Sequence, residues 1–523
     1  MSEANIYQFT TPYIDRKVAE GIFRELLQTK EAYRVFNIYG DIGTGKSRFI
    51  SHIINKYLNN KKSKFLYVKL DFENRVLHSQ KSAILAMAKE LQNRYNFNFS
   101  TLWKAYAILW HKRYQKSPLI YANDLPYIDE IKKLFKIDKK GHPIIEIVKG
   151  FFKESIKKEL EALKGLDTKE IENRLHKFFI NDIKELVKQK GFKDAVIIFE
   201  NYHLLEEVNA STPCMRDLWV RDMIALANKD VAFVIVTRDK LKWQQCNIVW
   251  KSALKSYQMK PFVRREATLF LNSIDNMALK EGIIISSGTL PFWLSIGKYG
   301  IKTAKIPTVK KDLIDNFIAS QKDEIVKLLH ILTHTRFFNL DMLNNIKHKF
   351  ELNLNSSDIN NLLSFDFIKK NGNRYIIDEL FREEFFKIQT ETQIKEATTF
   401  IFSYFENMLH SLDKEIIKAT PSIVDEVIEE AWYYLRKINH NIIDHLKWLN
   451  YYVDRFFMYA AWEPFIDRYL QIAPEVEKLN DTEHLVTLYN NLAGLYESIG
   501  EYELSKEYYK KVVNLNRPKQ LIA

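Results

Sequence analysis

The residues that could do chemistry are easiest to find in one loop. Gly40-Asp41-Ile42-Gly43-Thr44-Gly45-Lys46-Ser47 matches the pattern G-x-x-x-x-G-K-[ST] in full, with an extra glycine at 43. Glycines let successive backbone N–H groups turn inward around an anion. A helix that starts at the lysine points its positive end at the same anion. Lys46 then supplies a point charge for β- and γ-phosphates, and the Ser47 hydroxyl is a ligand for Mg2+. Ile42, Thr44 and Arg48, one residue beyond the pattern, complete the candidate nucleotide contacts of this loop. A bare glycine turn is the alternative. The context argues against it, because an apolar strand at 35–39 precedes the loop and a helix at about 47–58 follows it.

A triphosphate site of this type needs a second strand that ends in a carboxylate. Ala195-Val196-Ile197-Ile198-Phe199-Glu200 is the strong candidate, with Glu200 on the magnesium side. The next position, usually a second acid, is Asn201. An amide cannot accept a proton, so general-base help is expected to be weak and hydrolysis slow. The plain alternative for Glu200 is a strand-end surface acid. His203 is near enough in sequence to reach a γ-phosphate, although a lone loop histidine is more often structural. The strand at 231–236 ends in Thr237-Arg238. Ligands of a parallel sheet lie outside the carboxyl ends of its strands. Arg238 is thus placed to sense the γ-phosphate; pairing with Asp239 or solvent is an equal alternative.

The elements that must position these groups follow from periodicity. A helix at 17–32, strands at 35–39, 65–70, 195–199 and 231–236, and a helix at 80–95 describe a parallel α/β sheet. Residues 97–190 read as a polar helical insertion, and 262–320 as helical. Residues 321–387 read as a helical unit ending in a hairpin around Asn371-Gly372. The remainder is helical. Asn491-Leu492-Ala493-Gly494-Leu495-Tyr496, Gly500-Glu501-Tyr502, Ser505 and Tyr508-Tyr509 fit the small-and-large code of a tetratricopeptide helix pair. The stretch from Tyr452 to Met458, Ala460-Ala461-Trp462 and Tyr469 echo it loosely. One such pair cannot bury its own face, so stacked neighbours are expected.

Length and composition set the bounds. A chain of 523 residues implies three or four units. The 46% hydrophobic and 28% charged content is that of a globular chain. Two cysteines, Cys214 and Cys246, form no disulfide framework, which suits a reducing compartment and a cytoplasmic location. No signal peptide and no membrane-spanning apolar run is legible. The net charge of +12 suits a nucleic-acid partner. Lysines scattered over solvated helix faces account for it better, since no compact arginine cluster is present.

The order of motifs resembles the STAND class of signal-transduction ATPases, which includes NB-ARC, NACHT and MalT-type proteins. Tyr13-Ile14-Asp15-Arg16 is similar to the hydrophobic-Gly-Arg motif of that class, with Asp15 where glycine is usual. Phe199-Glu200-Asn201-Tyr202-His203-Leu204-Leu205 resembles its Walker B segment, and Thr237-Arg238 its sensor strand. Ser287-Gly288-Thr289-Leu290-Pro291-Phe292 resembles the G-x-P element of its helical lid, whose proline packs near the nucleotide base. Residues 374–382 resemble its His-Asp element, with Ile377 in place of the histidine.

The resemblance implies a multidomain α/β plus α protein. It would have an N-terminal segment (1–30), a P-loop NTPase core with a parallel sheet (31–261), a helical lid (262–320), a winged helix (321–387) and a TPR-like α-solenoid (388–523). It also implies Arg16 and Pro291 as nucleotide contacts, ATP or ADP with Mg2+ as cofactors, and Lys46, Glu200, Asn201 and Arg238 as the catalytic set. A protein or peptide ligand on the repeats and nucleotide-dependent self-association are the implied partners. A DNA-acting ATPase of the initiator or loader kind, and a nucleotide-stabilised scaffold without turnover, are the rival readings.

Overall fold

The computed structural model describes residues 11–29, 31–60, 63–113, 136–137, 143–144, 154–207, 217–413, 421–457 and 463–516. Cys214, Met458 and the Ala460-Ala461-Trp462 stretch lie outside them. The chain divides into two compact units, one from residues 1–98 with 179–397 and the other from 99–178 with 398–523.

The first unit is built on a five-stranded sheet. Its strands are β1 (Val35–Tyr39), β2 (Phe65–Asp71), β3 (Asp194–Glu200), β4 (Val231–Val236) and β5 (Leu254–Gln258). They lie in the order β2-β3-β4-β1-β5, and every pairing is parallel. Parallel sheets are covered on both faces, so central strands read as unbroken apolar runs. Every residue of β3 and β4 is buried. Edge strand β5, Leu-Lys-Ser-Tyr-Gln, is only partly buried. Its polar residues hid it from a reading based on apolar runs.

Helix α1 (Lys17–Gln28) buries Ala19, Phe23, Leu26 and Leu27 against the sheet's core, which includes Phe36, Val196 and Val234. Helix α2 (Lys46–Ile53) begins within the glycine loop and buries Phe49, Ile50 and Ile53 in the same cluster. Beyond β5 come the helices Met277–Ser287, α3 (Pro291–Tyr299) and Lys310–Ala319. Pro291 occupies the first turn of α3, where its fixed φ suits a helix start. Helices Asp323–Leu332, Leu340–Lys349 and Ser356–Leu363 lead into a hairpin of β6 (Ile368–Asn371) and β7 (Arg374–Ile377). Gly372 takes the positive φ of +63° that the turn requires. Helix α4 (Glu379–Phe386) follows, capped by the Asp378 side chain.

Residues 97–190, read as a polar helical insertion, are helical over much of their described length, and 99–178 of them belong to the second unit. Helix Ser100–Arg113 is buried at every position from Thr101 to Trp110, and residues 99–178 cluster with the C-terminal helices rather than with the sheet. The Thr168 hydroxyl donates to Glu501 at 2.6 Å across 333 residues of sequence. The unit also holds helices Glu154–Ala162, Thr168–Glu172, most of Glu391–Ser411, and Pro421–Ile438, Ile442–Phe457, Glu463–Lys478, Thr482–Ser498 and Tyr502–Asn516. The stacked neighbours that a single repeat needs are therefore present.

Cys246 is disulfide-bonded, whereas the two cysteines were expected to suit a reducing compartment. Among the described residues no helix is long and apolar enough to cross a membrane.

One ion pair locks two strand starts together. Arg34, just before β1, reaches Asp194 at 3.2 Å with both side chains buried. Removing one partner of such a pair strands the other charge. Asp194→Ala should lower the unfolding free energy of the sheet unit by about 3–5 kcal/mol. Urea melts should show Asp194→Asn losing less, because it keeps an acceptor for Arg34.

Candidate functional site

The parallel register brings four strand tips to one edge. Asp71 pairs with Glu200, and Phe199 with Ile235. Ile38 lies opposite Val236, and Gly40 N–H donates to the Arg238 carbonyl at 2.9 Å. The glycine loop and the ends of β2, β3 and β4 therefore share one end of the sheet.

The loop is shaped by positions that only glycine suits. Gly40, Gly43 and Gly45 have φ of +146°, +82° and +94°. A Cβ on Gly40 would lie 2.4 Å from the Met259 carbonyl oxygen. One on Gly43 would lie 2.8 Å from Phe292 Cβ, with Leu290 and Leu380 at 3.1 and 3.2 Å. Phe292 N–H donates to the Gly43 carbonyl at 3.2 Å, and Pro291 Cγ lies 4.0 Å from the Cβ position of Gly45. Pro291 is thus at the loop. No side chain caps α2 at Gly45, so its first N–H groups remain for an anion.

Lys46 Nζ donates to the loop's own carbonyls at Gly40 and, at 2.9 Å, Asp41. Burial pushes its pKa down to about 8, with Lys369 adding to the effect and Asp378 and Asp41 opposing it. Arg238 pairs with Glu379 of α4 rather than with Asp239. Arg16 donates to the Thr44 carbonyl at 3.1 Å and lies over the Phe262 ring. Thr44 Oγ1 donates to the Asp41 carbonyl at 2.8 Å. Ile42 and Ser47 are half-buried. Arg48 is directed elsewhere, to Thr11 and to Asp366 at 3.6 Å. Ile377 is buried in the hairpin and offers no polar group.

Glu200 Oε2 accepts from Lys69 at 2.8 Å, while Oε1 is buried without a partner. An orphaned carboxylate oxygen beside a serine-ended phosphate loop fits a hydrated Mg2+, which Ser47 and Glu200 would hold. Asn201 has a φ of +51°, and its Nδ2 donates to Asp71 Oδ1 at 2.8 Å. Both ring nitrogens of His203 are buried without hydrogen bonds. Burial, then Arg238 and Lys46, push its pKa down to about 4, so the ring is neutral.

Several groups here were missed in the sequence. Asp71 ends a recognised strand, just as Glu200 does, and that shared position was the available signal. Glu73, Lys369, Glu379 and Arg382 gave none, because only the fold brings them to the strand tips. Arg382 pairs with Glu73 at 3.1 Å, and Lys369 with Asp378 at 2.9 Å.

A tetratricopeptide-repeat family profile matches residues 486–519. No curated protein matches the chain. Solved structures similar at low identity include the following. A Signal Transduction ATPase with Numerous Domains (STAND) protein with a tetratricopeptide repeat sensor, from Pyrococcus horikoshii, is 12% identical with a TM-score of 0.43, over 98% of this chain and 72% of that one. A Walker-type ATPase of Pyrococcus abyssi is 10% identical with a TM-score of 0.34, over 72% and 98%. The Orc1 protein of Aeropyrum pernix, solved in complex with DNA, is 11% identical with a TM-score of 0.30, over 74% and 98%.

Glu73 yields a pH test. Burial and the nearby Asp71 push its carboxyl up to about 7, against the pull of Arg382. The folded state then holds a proton that the unfolded state releases above its lower, ordinary pKa. Stability should therefore fall as pH rises from about 4.5 to 7. Melting temperatures across that window should fall more steeply for the wild type than for Glu73→Gln.

Proposed function

We propose that the chain is a cytoplasmic STAND-type ATPase that binds ATP with Mg2+ and uses it as a conformational switch. The observation that carries this reading is the glycine cradle at the strand edge. Lys46 and Arg238 converge on it, and Pro291 and Phe292 press on it from α3. In this reading the backbone of residues 40–47 and the start of α2 hold the phosphates. Arg16 steadies the loop through the Thr44 carbonyl. Ser47 and Glu200 hold the metal, which supplies charge neutralisation for the phosphates.

Residues 262–320 act as the lid and 321–387 as a winged helix. Arg238–Glu379 and Arg382–Glu73 would tie this second element to the nucleotide core. A γ-phosphate competes with Glu379 for Arg238, and that difference in contacts is what a switch requires. The C-terminal repeats take a protein or peptide ligand, and the opened form self-associates. The charge of +12 does not by itself make DNA the partner, given the absence of an arginine cluster in the sequence.

Lys46→Ala should abolish binding of ATP-Mg2+ in a fluorescent-analogue titration. Unchanged affinity in that variant would sink the assignment. Wild-type affinity should also weaken as pH rises through about 8, where Lys46 loses its proton, by up to about tenfold per pH unit.

A further inference from the structure

We propose that Asp71, at the tip of β2, is the carboxylate that accepts the proton of the attacking water, and that Asn201 is its positioning residue. The inference rests on the nucleotide reading above. It addresses the puzzle that Asn201 poses, since an amide in the usual place of an acid removes the expected base.

The acid missing from β3 is present on the adjacent strand. Asp71 lies opposite Glu200 in the parallel register. The positive φ of Asn201 turns its side chain so that Nδ2 donates to Asp71 Oδ1. Glu73 N–H donates to the same oxygen at 3.0 Å. Both donors are on Oδ1, which leaves Oδ2 to receive a proton. Glu200 is paired with Lys69, and Glu73 with Arg382. Asp71 is buried, and among the described residues it makes no ion pair. Of the three acids at these tips it is the one not already neutralised by a cation. It also lies close enough to His203 to act on it electrostatically, as do Lys46 and Arg238, so the same imidazole ties it to the cations of the loop.

The step balances as follows. The water oxygen bonds to the γ-phosphorus while the bond from that phosphorus to the β,γ-bridging oxygen breaks. The bridging oxygen keeps the electron pair and leaves on ADP. The water proton passes to Asp71 Oδ2 and then to solvent, and inorganic phosphate is the second product.

Asn201→Asp separates this assignment from the expectation drawn from sequence. A missing acid, once restored, should speed hydrolysis. Here the new carboxylate would stand against Asp71 where a donor stood, and the pair would share a proton. Hydrolysis should therefore fall, and the acidic limb of its pH–rate profile should move upward.

The test uses the full chain with ATP-Mg2+. It measures binding of a fluorescent ATP analogue, phosphate release, and the identity of the bound nucleotide by chromatography after incubation. Asp71→Asn, which keeps Oδ1 as an acceptor, should bind ATP within about threefold of the wild type. It should retain it as ATP, with phosphate release at least about a hundredfold slower. Wild-type turnover in Asp71→Asn, or faster hydrolysis in Asn201→Asp, would overturn the assignment. A wild type that binds ATP without hydrolysing it would overturn this inference alone. One that binds no ATP would overturn the nucleotide reading and this inference with it.

Discussion

Cations cannot be gathered at one end of a sheet unless their charge is compensated, and much of the first unit can be understood from that constraint. Lys46, Arg238, Lys369 and Arg382 meet at the strand tips. Each of the last three has a carboxylate partner, Glu379, Asp378 and Glu73 respectively. Lys46 rests on backbone carbonyls instead. Like charges brought this close in a half-dry setting repel strongly. A phosphate anion would relieve the same repulsion, so internal acids and a bound nucleotide are competing solutions to one electrostatic problem.

The parallel register makes the arrangement possible. With all five strands running the same way, their carboxyl ends form a single edge, and loops that are far apart in sequence are forced together there. Asp71 and Asn201 are 130 residues apart and share a hydrogen bond because β2 and β3 are neighbours.

Much of this was legible in the chain itself. The glycine loop, the runs of β1, β3 and β4, the hairpin at Asn371-Gly372 and the C-terminal helix pair each have a local signature, and each lies where that signature put it. The rest was hidden for physical reasons. Edge strand β5 is half wet and so lacks an apolar run. Helix Ser100–Arg113 mixes Thr101, Lys104 and aromatic residues and looks polar, yet it is buried and packs against the helical segments at 154–172, which its own sequence does not reveal. Among the site residues, the loop and the tips of β3 and β4 follow from spacing. Asp71 shares the strand-end position of Glu200, whereas Glu73 and the ion-pairing residues of β6 and α4 follow only from topology. Arg48, by contrast, has the right spacing and is directed away, to Asp366.

Gly43 touches more than its own loop. Leu290 and Phe292 at the start of α3 and Leu380 on α4 all abut the place where its side chain would be. Two separate stretches of sequence thus bear on a patch about the width of one methyl group. Such a patch works as a mechanical gauge, because any shift of the loop is felt at once by both helices, with no charge moved. Changes of girth at 290, 292 or 380 can then retune how firmly the helices seat on the loop while leaving the reacting groups untouched.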